Sequence, residues 1–128
     1  MSGFYTHIEA DTTENTFFRK VLFTGPNSQL VLMALQPSED IGSEVHPEND
    51  QFFRFEAGDG KVVINDQEYI VKDGDCVVIP AGAEHNIINT SDTEMLKMYT
   101  IYSPAHHPDG TIHENKVEAM AAEAAEHH

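Results

Sequence analysis

The stretch Glu44-Val45-His46-Pro47-Glu48-Asn49-Asp50-Gln51 sets a carboxylate, an imidazole and an amide within eight residues of one another. A second imidazole, His85, follows the segment Pro80-Ala81-Gly82-Ala83-Glu84. Residues two apart on an extended chain point to the same face, so Glu44 and His46 share a face if 43–47 is extended. Gln51 opens an alternating run, with Gln51, Phe53 and Phe55 on one side and Phe52, Arg54 and Glu56 on the other. If the Gln51 side faces the interior of a barrel, the four polar side chains converge, and the point of convergence is a metal ion. Two imidazoles and one carboxylate are the donors of a facial triad, which leaves coordination positions open; Gln51 adds a neutral carbonyl oxygen. No thiolate is near, so Fe, Mn, Ni and Zn all suit the set. One carboxylate against a divalent ion leaves the site net positive, which favours an anionic or enolate-like ligand.

These residues need a framework of short strands. Alternating or β-branched and aromatic runs occur at 16–24, 29–36, 51–58, 61–65, 67–72, 76–80, 85–90 and 95–102, separated by turn residues such as Gly25-Pro26-Asn27-Ser28, Asn65-Asp66 and Asp73-Gly74. Eight to ten strands at this spacing predict an all-β sandwich or barrel. The chain changes character after the 103–110 loop: 111–126 reads as a helix, started by Thr111 with Glu114 or by Asn115 with Glu118, with an apolar stripe of Val117, Met120, Ala121 and Ala124. The expected division is a barrel domain over 1–110, N-terminal strands included, and a helical tail over 111–128. His127 and His128 take no part in the functional reading.

Gly74, Pro80, Gly82, His85 and Asn89 match the second motif of the cupin family at every position: Gly, five residues, Pro, one residue, Gly, two residues, His, three residues, Asn. The family's first motif is met in spacing by Glu44, His46, Gln51 and Gly58, with Glu44 standing for a His and Gln51 for a Glu. Ser38 occupies the place of that motif's leading Gly. The sequence therefore resembles a small single-domain cupin over about 16–102. The resemblance implies a double-stranded β-helix, a jelly-roll-like barrel, with a metal at its centre. It also implies a homodimer, and the apolar residues on both faces of 16–24 and 95–102 give a reason for one.

The 128 residues suit one domain, with 40% apolar and 23% charged residues. A net charge of −15 repels phosphate backbones and anionic lipid, so neither nucleic acid nor a membrane is an expected partner; a small-molecule ligand is. A single cysteine, no apolar run long enough to span a bilayer and no signal-peptide pattern make the cytoplasm the default location. Cys76 is expected to be a small buried hydrophobe, Arg54 to pair with an acidic neighbour, and His7 and His113 to lie on the surface without partners. His106 and His107 read as part of a solvated loop, the alternative being a lid or second site at the barrel mouth, and Phe53, nearest Gln51, as core that also lines a pocket. With no Ser-His-Asp set, P-loop or dinucleotide fingerprint, any chemistry must use the metal, and no residue is assigned as catalytic. The leading expectation is a metal-dependent enzyme, isomerase- or dioxygenase-like, acting on a small oxygenated molecule. The alternatives are a non-catalytic binding or sensing module and a structural barrel without metal.

Overall fold

Each run expected to be extended contains a strand, the first over Arg19–Thr24 rather than from 16. The structure, a computed structural model, describes residues 2–126. Its elements in order are α1 (Ile8–Glu14), β1 (Arg19–Thr24), β2 (Gln29–Leu35), β3 (Asp50–Ala57), β4 (Asp59–Ile64), β5 (Gln67–Lys72), β6 (Cys76–Ile79), β7 (His85–Asn89), β8 (Leu96–Ser103), β9 (Ile112–His113) and α2 (Lys116–Glu126). One antiparallel sheet has the order β6-β3-β8-β2-β1-β9 and the other β5-β4-β7. Their inner faces share a single core: Val31, Met33 and Leu35 of β2, Phe53 and Phe55 of β3, and Leu96 and Met98 of β8 are buried together with Val62, Val71 and Ile87 of the small sheet. The Gln51, Phe53, Phe55 side of β3 is the buried one, as its period of two requires.

The outer face of the large sheet is apolar in places and partly covered. Lys97 points outward from β8 and its ammonium donates to the Thr13 carbonyl, which seats α1 on that face. Tyr99, Ile101, Leu30 and Phe52 on the same face are only partly buried.

Several expectations are corrected. A helix, α1, precedes the first strand; seven residues are too few for a hydrophobic period to show in the sequence. The 111–126 helix starts only at Lys116, because Ile112 and His113 pair with Lys20 and Arg19 as an edge strand. Asn115 is its cap, its Oδ1 accepting from Glu118 N at 2.9 Å. The stripe of Val117 and Met120 is exposed; the helix rests instead on Ala119, fully buried, and on ion pairs from Lys116 and Glu123. Cys76 is exposed, because β6 is an edge strand whose other face, with Ile79, turns to the core. Arg54 does pair with an acid, Nε to Glu56 Oε1 at 2.9 Å. No helix among the described residues is long and apolar enough to cross a membrane.

Candidate functional site

Two segments distant in sequence are stitched together by backbone hydrogen bonds. Glu44 and His85 exchange both of theirs at 2.9 Å, and Gly82 N donates to His46 O at 3.0 Å. The turn before His85 therefore lies directly along the 44–46 segment. Gly82 holds a positive φ of 87°, which the reversal between Pro80 and His85 requires. Asn89 ties the other end of β7: its amide nitrogen donates to the carbonyls of Leu35, Gln36 and Glu94, and its oxygen accepts from Ser91 N.

The side chains follow. His46 Nε2 lies 3.1 Å from Glu44 Oε2, and the His46 and His85 ring centroids are 5.3 Å apart. His85 Nδ1 lies 3.0 Å from the Ala83 carbonyl oxygen. A carbonyl can only accept, so Nδ1 carries the proton and Nε2 keeps the lone pair. Gln51 is 3% exposed, and its Nε2 donates to Thr100 Oγ1 at 3.1 Å. Its Oε1 is buried and accepts no hydrogen bond among the described residues. Burial raises the Glu44 carboxyl, but the hydrogen bond from His46 and the charges of His46, Arg19 and His85 outweigh it and leave its pKa lowered. Burial lowers the pKa of His85, favouring the neutral ring. Among the described residues, no three His, Cys, Asp or Glu side chains stand in an arrangement that would hold a metal as they are, and the Glu44 carboxylate is turned onto His46. Phe53 is 1% exposed and stacks on Phe55, which makes it core.

Tyr102 beside this group escaped the sequence reading, and His106 and His107, expected in a solvated loop, stand beside it as well. Strand β3 pairs with β8 so that Gln51 faces Tyr102 and Asp50 faces Ser103, and the chain leaving β8 must therefore pass His46. The His106 ring is exposed and lies 4.3 Å from that of His46; the Tyr102 ring meets His46 edge-on at 5.7 Å. His107 is buried, with Nε2 3.2 Å from the Tyr102 hydroxyl. The 103–110 segment is thus no freely solvated loop. Gln29 clamps it: Oε1 accepts from the backbone N–H groups of His106 and His107, and Nε2 donates to the His107 carbonyl. Asn49 donates to the Pro104 carbonyl. The signals were the adjacent His106 and His107 and Gln29, a polar residue on the inward side of an apolar strand.

Burial, reinforced by the charge of Arg19, lowers the pKa of His107 from 6.5 to about 2. Such a ring takes up a proton near pH 6.5 only after unfolding, so its contribution to stability is complete above pH 6.5 and is lost as the pH falls. The loss runs at about 1.4 kcal/mol per pH unit, or about 2 kcal/mol between pH 7 and pH 5. Urea unfolding at the two pH values should show this difference shrinking by about that amount in His107→Gln. An unchanged difference would mean that His107 is not held neutral in the fold.

The family model described as "Cupin domain" matches residues 31–102. The chain is 46% identical over 112 residues to the uncharacterized protein L612 of Acanthamoeba polyphaga mimivirus, covering 85% of this chain and 70% of that protein. It is 45% identical over 126 residues to the uncharacterized protein YrkC of Bacillus subtilis, covering 94% and 67%. Among solved structures, BH2720 from Bacillus halodurans superposes with a TM-score of 0.91 at 44% identity, covering 94% of this chain and 95% of that one.

Proposed function

The chain belongs to the cupin family, and from that premise we propose that it is a metal-binding cupin whose barrel interior handles a small oxygenated molecule, with Glu44, His46, His85 and Gln51 as the residues that would hold the ion. The observation that carries this reading is the buried Gln51 Oε1, which has no donor among the described residues; a desolvated carbonyl oxygen left without a partner is costly, and a cation would satisfy it. The other donors are suited to the same task. Two atoms bound side by side on a first-row metal at ~2.1 Å each lie ~3 Å apart, the separation of Glu44 Oε2 and His46 Nε2. His85 presents an unprotonated Nε2, oriented through Nδ1 and the Ala83 carbonyl as metal-binding histidines usually are. For the set to close, the Glu44 carboxylate must exchange its contact with His46 for a shared one.

A bound divalent ion of this type would polarise a carbonyl or hydroxyl oxygen, or take dioxygen. The protein's part is to hold and orient. His106 stands over His46, where it can contact whatever enters. The neutral Tyr102–His107 pair, fixed through Gln29, sets the position of His106. The lowered pKa of Glu44 keeps it ionised near neutral pH, as a cation ligand must be.

Turnover screening in air with Fe, Mn, Ni or Zn supplied separates enzyme from binding module. Metal-dependent conversion of a carbonyl or hydroxy compound, absent in His85→Ala, is the expected result. Saturable binding without conversion under every metal would make the protein a binding or sensing module instead.

A further inference from the structure

Arg19 is the most deeply buried charge described in the chain, with 1% of its surface exposed, and nothing in the metal reading uses it. It lies at the end of β1, on the inward side of the large sheet, with its guanidinium 5.3 Å from the Phe18 ring centroid. Nη1 lies 3.1 Å from Glu123 Oε1 and 3.1 Å from His113 Nδ1, which corrects the expectation that His113 has no partner. Nε is buried and has no acceptor among the described residues. Arg19 pairs with Met33, which pairs in turn with Met98, and both methionines belong to the shared core, so the Arg19 side chain enters the same barrel interior as the candidate site.

The pairing with Glu123 is incomplete. A guanidinium offers a planar fork that a carboxylate fills with two parallel hydrogen bonds, and a buried cation gains enough to offset its desolvation only when such bonds are made. Here one carboxylate oxygen meets Nη1 and the Nε–H is left over. Glu123, moreover, is partly exposed and comes from α2, a helix seated by the buried Ala119 and by the Lys116–Asp40 pair at 2.7 Å, so the Glu123 side chain can leave Arg19 while the helix stays in place. The geometry is that of a cation kept occupied, imperfectly, by a removable side chain.

We propose that Arg19 is the carboxylate-recognising residue of the barrel interior and that Glu123 is its built-in competitor, displaced when a small organic acid binds. The inference rests on the barrel interior being the ligand site, as proposed above, and names the substrate class: a small molecule carrying one carboxylate. A phosphate dianion fits less well, because Arg19 is the single buried Lys or Arg among the described residues and the Glu123 carboxylate already lies against it.

The chain has two arginines, Arg19 and Arg54, so two Nε–H signals are expected in a ¹⁵N-resolved NMR spectrum. The metal-free full chain is titrated with lactate and, separately, with inorganic phosphate at equal ionic strength. Lactate should shift the Arg19 Nε–H signal saturably and leave that of Arg54 in place; Glu123→Gln should bind lactate at least tenfold more tightly. Phosphate binding as tight as lactate binding, an unmoved Arg19 signal, or equal affinity in Glu123→Gln and the parent would each overturn the proposal. Because the titration uses metal-free protein, its failure leaves the metal reading standing, and a protein that binds no metal can still pass it.

Discussion

Gly58→Ala is expected to destabilise the fold by ~3 kcal/mol or more, the sum of a left-handed backbone barred to alanine and an overlap that only a backbone shift can relieve. Gly58 has a φ of 96°, and a Cβ built on it would lie 2.5 Å from the Met95 carbonyl oxygen and 3.0 Å from Leu96 Cα. Both are backbone atoms at the start of β8, beside the irregular pairing between Phe55 and Ala57, so neither can swing aside. Gly74 has a similar φ of 90° but nothing within 4 Å of its Cβ position, so Gly74→Ala should cost about 1 kcal/mol. The midpoints of urea unfolding report both. Equal losses in the two variants would mean that Gly58 is required for its φ alone and not for the close approach of β8.

His85→Ala should lose most of its bound metal while keeping the β-rich circular dichroism of the parent. The imidazole removed is the one whose direction is set twice, by the backbone exchange with Glu44 and by the Ala83 carbonyl. His106, its ring 4.3 Å from that of His46, is a neighbour that could compensate, and the double variant His85→Ala with His106→Ala tests that by losing what the single variant retains. Stability should fall only through linkage, by ~2.7 kcal/mol when metal stands at a hundredfold over its dissociation constant. Gln51→Ala should retain more metal, since water can replace a neutral oxygen ligand.

The strands were legible because one buried face imposes a period of two, and 51, 53 and 55 obey it. The turn that aims His85 was legible because Pro80 and Gly82 restrict the backbone locally. Ser38, which departs from the motif's glycine, has a φ of 64°, within the left-handed region that glycine adopts most readily. What failed depended on long-range pairing. Ile112 and His113 look helical until β1 offers them an edge. Cys76 looks buried until β6 proves to be the edge strand. His106, sixty residues from His46 in the chain, reaches it only through the register of β3 on β8 and the Gln29 clamp. Arg19 sits in a run of apolar and basic residues that gives no hint of an acid on α2, more than a hundred residues on.

The claim at the centre is that Glu44, His46, His85 and Gln51 hold a divalent ion, and metal content tests it most directly. The full chain, produced without an affinity tag and purified without chelator, is analysed as isolated and again after exposure to Fe(II), Mn(II), Ni(II) or Zn(II) and removal of the excess. The expected result is about one ion per chain for at least one of the four, with little or none in Glu44→Ala/His85→Ala. Protein that retains none of the four metals, or a doubly substituted chain that retains as much as the parent, would contradict it.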